Sequence, residues 1–160
     1  MGSFKNMLKG FLFLAIYAAT TIIIPLLTFS WLYELTVQGF PISFEQQEYQ
    51  KVLFWVTALG LVICGCAFFS HSSPKKSIRK AIFALIQVIV NCLYIWSYKF
   101  SGATDIQFTI ASFGYFSLNI QQMILLYMGI YFLTIVIKMY DIIDFTVNRK
   151  KIREDRMKAS

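Results

Sequence analysis

Charge is blocked along this chain, and the apolar runs between the blocks are too long for core helices of a soluble domain. A helix needs about 20 apolar residues, at about 1.5 Å each, to cross a hydrocarbon core of about 30 Å. The runs on either side of His71-Ser72-Ser73-Pro74-Lys75-Lys76-Ser77-Ile78-Arg79-Lys80 reach that length. This short basic segment, with its turn-forming Pro74, divides the chain into two apolar hairpins. Composition agrees: 58% of the 160 residues are hydrophobic and 14% charged, against about 25% charged in soluble domains. The expected fold class is therefore all-α: a single-domain integral membrane four-helix bundle of two transmembrane hairpins, with a cytoplasmic extension of the last helix. The expected spans are 10–35, 52–70, 79–98 and 120–140, and the basic tail is 141–160.

The first run continues through Ile22-Ile23-Ile24-Pro25-Leu26-Leu27 with no small-x-small cleavage pattern, so it reads as a retained span and not a signal peptide. Pro25 lacks an N–H, which predicts a helix kink and a freed carbonyl at Thr21. The kink serves as a packing bend or, alternatively, as a gating hinge. Ser43-Phe44-Glu45-Gln46 has the spacing of a capping box ahead of the second span. Within that span Gly60 and Cys64 have a small-xxx-small spacing, which lets another helix approach closely.

In the third span Gln87 and Asn91 are four apart and share one helix face. Amides are costly against acyl chains, so this polar intramembrane face looks into protein or water. Interhelical hydrogen bonding is one use of it, and a polar lining for a pathway is the other. The next run is too long for one span: about 35 residues as a helix would extend about 52 Å. The polar cluster Asn119, Gln121 and Gln122 is the expected break. This leaves 106–118 as an interfacial amphipathic helix or a re-entrant segment, with the cluster beside it. Beyond the last span Lys138 and Asp141 are placed to pair, and nothing between Asp141 and Lys158 breaks a helix.

With four spans, every Lys and Arg except Lys51 and Lys99 falls on one side. Lys75, Lys76, Arg79, Lys80, Arg149, Lys150, Lys151 and Arg153 form its basic surface. The positive-inside rule makes that side cytoplasmic, together with both termini. Trp31, Trp55 and Trp96 fall near the other boundary, where indole rings favour the headgroup layer.

No carboxylate lies centrally in the first three spans, and no phosphate-binding or nucleophile motif is present. One histidine, His71, cannot form a bis-histidine haem site or a His-rich metal site within one chain. Cys64, Cys66 and Cys92 read as small apolar packing residues, since a C-x-C on a helix points to nearly opposite sides. No catalytic, cofactor-binding or metal-binding residue is expected. The net charge of +7 is spent beside the apolar runs and does not form a nucleic-acid module. The expected function is that of a non-catalytic multi-pass protein, an accessory or structural subunit of a larger membrane complex. The alternative is a small homo-oligomeric channel or transporter with a polar face from the third span. A membrane enzyme acting on a lipid is the remaining possibility. The expected partners are the bilayer, other membrane subunits or copies of itself, and anionic lipid headgroups; no nucleic acid is expected.

Overall fold

A computed structural model describes residues 2–39, 44, 46–74, 77–102, 105–110, 114–119 and 121–148. Helix α1 (Gly2–Ala18) passes through a π-helical turn (Ala19–Ile23) into α2 (Ile24–Val37). Then follow α3 (Gln46–Ser72), α4 (Ile78–Phe100), a β-hairpin of β1 (Asp105–Ile110) and β2 (Gly114–Asn119), and α5 (Gln121–Val147). With α1, the π turn and α2 taken as one, the described residues contain four helices long and apolar enough to cross a membrane.

Helix α3 is the central element. It packs on α1 and on α4, and α4 in turn carries α5. Val52, Val56, Gly60, Ile63, Ala67 and Ser70 are buried at helical spacing along one stripe of α3. Cys64 and Cys66 lie on the two flanks of that stripe, and both are buried free thiols. Two glycines let α1 come close. A Cβ added to Gly60 would lie 2.5 Å from Ile22 Cγ1, and one added to Gly10 would lie 2.9 Å from Ser72 Cβ. Close approach brings many atom pairs of the two helices into van der Waals contact at once.

The best-packed region lies toward the α2–α3 connection. Phe44, outside any helix, is only 2% exposed and inserts beside Val52 and Val56. Its ring lies 6.0 Å from Phe29, and Tyr33 stacks on Tyr49 at 4.5 Å. Such pairs contribute about 0.5–1.5 kcal/mol beyond their buried area. The helices that end here stop at glycines with positive φ: Gly39 after α2 and Gly102 after α4. At the other end Ser77 caps α4, its hydroxyl accepting from the Lys80 N–H at 3.2 Å.

Within 106–118, expected to be an interfacial amphipathic helix or a re-entrant segment, the described residues form antiparallel strands and not a helix. Their register runs from Asp105 opposite Asn119 to Ile110 opposite Gly114. The overlooked signal is the alternation of Ile106-Gln107-Phe108-Thr109-Ile110, whose period of two suits a strand and not a helix. The hairpin separates the last two spans, so the uncharged stretch is not one helix.

Helix α5 continues past Lys138, whose Nζ is 3.1 Å from Asp141 Oδ2. Asn148 follows its last turn, donating its N–H to Asp144 O at 2.9 Å and its side-chain amide to Asp144 Oδ1 at 2.7 Å. The Ser43 cap, Lys75, Lys76 and the tail residues Arg149, Lys150, Lys151 and Arg153 lie outside the described residues.

Candidate functional site

The polar groups of α4 form a seam. Gln87, Asn91, Tyr94, Tyr98 and Ser101 recur at intervals of three or four and share one helix face. Gln87, Tyr94 and Ser101 are buried, and Asn91 and Tyr98 are half-buried. Gln87 and Asn91 were legible as a pair in the sequence; their continuation through two tyrosines was not, because tyrosine in a span also reads as an interface anchor.

At the centre of the seam Tyr94 meets the distorted part of the first span. Its hydroxyl donates to the Thr21 carbonyl at 2.8 Å. That carbonyl lies four residues before Pro25, which has no N–H to offer it. The π turn is closed by Ile24, the first residue of α2, whose N–H reaches back five residues to Ala19 O. Pro25 therefore leaves this acceptor without its usual helical donor, and Tyr94 of α4 supplies one. Thr20 and Thr21 return their own hydroxyls to the preceding turn, Thr21 Oγ1 donating to Tyr17 O at 2.7 Å. Cys64 Sγ lies 4.0 Å from Thr21 Oγ1 on the small-residue face of α3.

Tyr98 extends the chain of hydroxyls. Its oxygen is 2.8 Å from that of Tyr94. Tyr94 has one proton and gives it to a carbonyl, so Tyr98 donates to Tyr94. The order is Tyr98 to Tyr94 to Thr21 O. Tyr98 also lines a groove of about 340 Å³ bounded by Pro25, Thr28 and Phe29 of α2, and by Met123, Ile124 and Tyr127 of α5. The walls are otherwise almost wholly apolar, so the groove suits an acyl chain or apolar side chains. Gln87 lies deeper than Asn91 at 7% exposed, and among the described residues no side-chain polar atom is both fully buried and unpaired. Asn119 ends β2, and Gln121 and Gln122 stand exposed at the start of α5, so this cluster marks the hairpin-to-helix junction.

A second polar region lies at the basic end. There the start of α1, the end of α3 and the start of α4 meet around Lys5, Lys9, His71 and Lys80. The His71 ring stacks on Phe13 at 3.7 Å with an interplanar angle of 4°, and Lys9 Nζ lies 5.7 Å from the Phe13 centroid. The Arg79 guanidinium lies 5.4 Å from the Phe69 ring and 5.9 Å from that of Phe83. Lys80 also faces Lys138, Asp141 and Asp144 across a neighbouring cleft, which brings α5 to the same end. Comparisons with protein-family models, curated proteins and solved structures found no match to this chain.

Proposed function

We propose that this chain is an integral membrane protein with four spans and both termini cytoplasmic, acting as a non-catalytic accessory subunit of a larger membrane complex. The observation that carries the reading is the contrast between α4 and α5. The Tyr94 hydroxyl of α4 joins that helix to the π turn, and the other hydroxyls of α4 are bonded within it, whereas α5 rests on α4 and buries only Ile124 among its described residues. Leu126, Ile130, Leu133 and Ile137 all stand exposed along it. Gly129 lies between them, and a Cβ there would meet nothing within 4 Å. A partner span could approach that face closely.

The test is native mass spectrometry of the chain extracted from its own membrane in mild detergent. A complex with subunits of other mass is expected. Gly129→Leu should leave insertion and helix content unchanged and weaken that complex. Full association of the Gly129→Leu chain would remove α5 as the docking helix. A single-species ring would instead favour the channel or transporter reading. That second reading has one observation of its own, Gln87, only 7% exposed, in line with Asn91 on one face of α4. It expects Asn91→Leu to change ion or solute flux in proteoliposomes.

A further inference from the structure

The basic end of the helices holds a cleft of about 930 Å³, larger than the groove beside Tyr98. Its polar rim comes from three elements: Lys5, Asn6 and Lys9 of α1, His71 at the end of α3, and Lys80 of α4. Besides the buried Ser73, its remaining wall is apolar and exposed, formed by Leu8, Phe11 and Leu12 on the same turns of α1 as the lysines. No carboxylate lines it among the described residues.

We propose that this cleft binds the phosphate headgroup of an anionic phospholipid, with the first part of an acyl chain against Leu8, Phe11 and Leu12. The proposal rests on the membrane reading above. Three ammonium groups in one concavity raise the local concentration of anions. Each can donate to phosphate oxygens, and the Asn6 amide adds a neutral donor. Ser73 is not counted as a donor, because its hydroxyl is given to Phe69 O. Lys80 is shared with the Asp141–Asp144 side, so Lys5 and Lys9 carry more of the attraction.

The site is held in place by packing. Gly10 sits against Ser72 and Phe68, Phe11 meets Phe68 edge-on at 5.1 Å, and Phe13 stacks on His71. These contacts fix the lysine-bearing turns of α1 beside the end of α3. The apolar wall decides between the two sources of phosphate. A free anion has no use for Leu8, Phe11 and Leu12, whereas a lipid covers them.

The experiment uses the full chain in detergent, titrated with dioleoyl phosphatidylglycerol or dioleoyl phosphatidylcholine and read by native mass spectrometry. At least tenfold preference for phosphatidylglycerol is expected. Lys5→Gln, Lys9→Gln and Lys80→Gln should each weaken it, by about fivefold for a fully engaged lysine. The opposite-end pair Lys51→Gln and Lys99→Gln should leave it unchanged. In the unaltered protein, a photoreactive phosphatidylglycerol should label residues 4–13 and 68–80 above a photoreactive phosphatidylcholine. That readout stands even where a lysine variant fails to fold. Equal binding of the two lipids, labelling elsewhere, or inorganic phosphate binding as tightly as phosphatidylglycerol would overturn the proposal. Failure of the chain to float with neutral phosphatidylcholine vesicles would overturn the membrane reading, whereas normal flotation without lipid preference overturns only this site.

Discussion

Tyr94 shows how a single side chain settles a backbone problem inside an apolar layer. Pro25 leaves the Thr21 carbonyl without its usual helical donor, and the Tyr94 hydroxyl reaches it from another span. Interhelical hydrogen bonds in membranes average about 0.6 kcal/mol. This one should exceed the average, because the carbonyl it serves is partly buried and Pro25 cannot supply its usual helical donor. Tyr94→Phe is expected to destabilise by about 1–2 kcal/mol in reversible detergent unfolding. Pro25→Ala restores an N–H to the same carbonyl. In that background the cost of Tyr94→Phe should fall, giving a coupling energy of about 0.5 kcal/mol or more. Additive effects would mean that Tyr94 does not serve the acceptor that Pro25 creates. The freed carbonyl was legible from Pro25 alone; its partner, separated by 73 positions, was not.

Among the elements, α3 depends on its glycines in a position-specific way. Gly60 receives Ile22 and the Thr21 carbonyl of the π turn, whereas Gly65 faces open space. Gly60→Ala should therefore destabilise by about 1–3 kcal/mol through overpacking. Gly65→Ala should be neutral or stabilising by up to about 1 kcal/mol, since alanine is the better helix former. Thermal unfolding of the two variants side by side checks the contrast; equal losses would contradict the observed α1–α3 approach. The small-xxx-small spacing pointed to a close contact. It named Gly60 and Cys64 but not what lies across them, Ile22 and Thr21, because that depends on how the helices are rotated against each other. The β-hairpin presents the converse case. Its alternation was present in the sequence, but the apolar length of the whole stretch directed attention to helices.

In the whole molecule, charge and tryptophan divide between the two ends. Lys5, Lys9, His71, Lys80 and Lys138 gather at one end. Trp31, Trp55 and Trp96 lie exposed on α2, α3 and α4, toward the end where Phe44 is buried. Translocation of positive charge is disfavoured, so the basic end is expected to face the cytoplasm. With the native cysteines replaced by serine, Asn148→Cys should react with an impermeant thiol reagent only from the cytoplasmic side. Gln47→Cys should react only from the opposite side. Labelling of Gln47→Cys from the cytoplasm would refute the orientation.

Apolar run length, the blocks of charge and the position of Pro25 are local properties. They were enough to set the number of long helices, to expect a basic end and to locate the defect in the first span. The reason is that a helix satisfies its own backbone hydrogen bonds without reference to the rest of the chain. The tertiary structure decided what meets across the helices. It placed α3 at the centre, set Ile22 against Gly60, joined Tyr98 and Tyr94 to Thr21, and drew Lys5, Lys9, His71 and Lys80 around one cleft. Each of these depends on helix rotation and close packing between residues far apart in the chain, which no local pattern encodes.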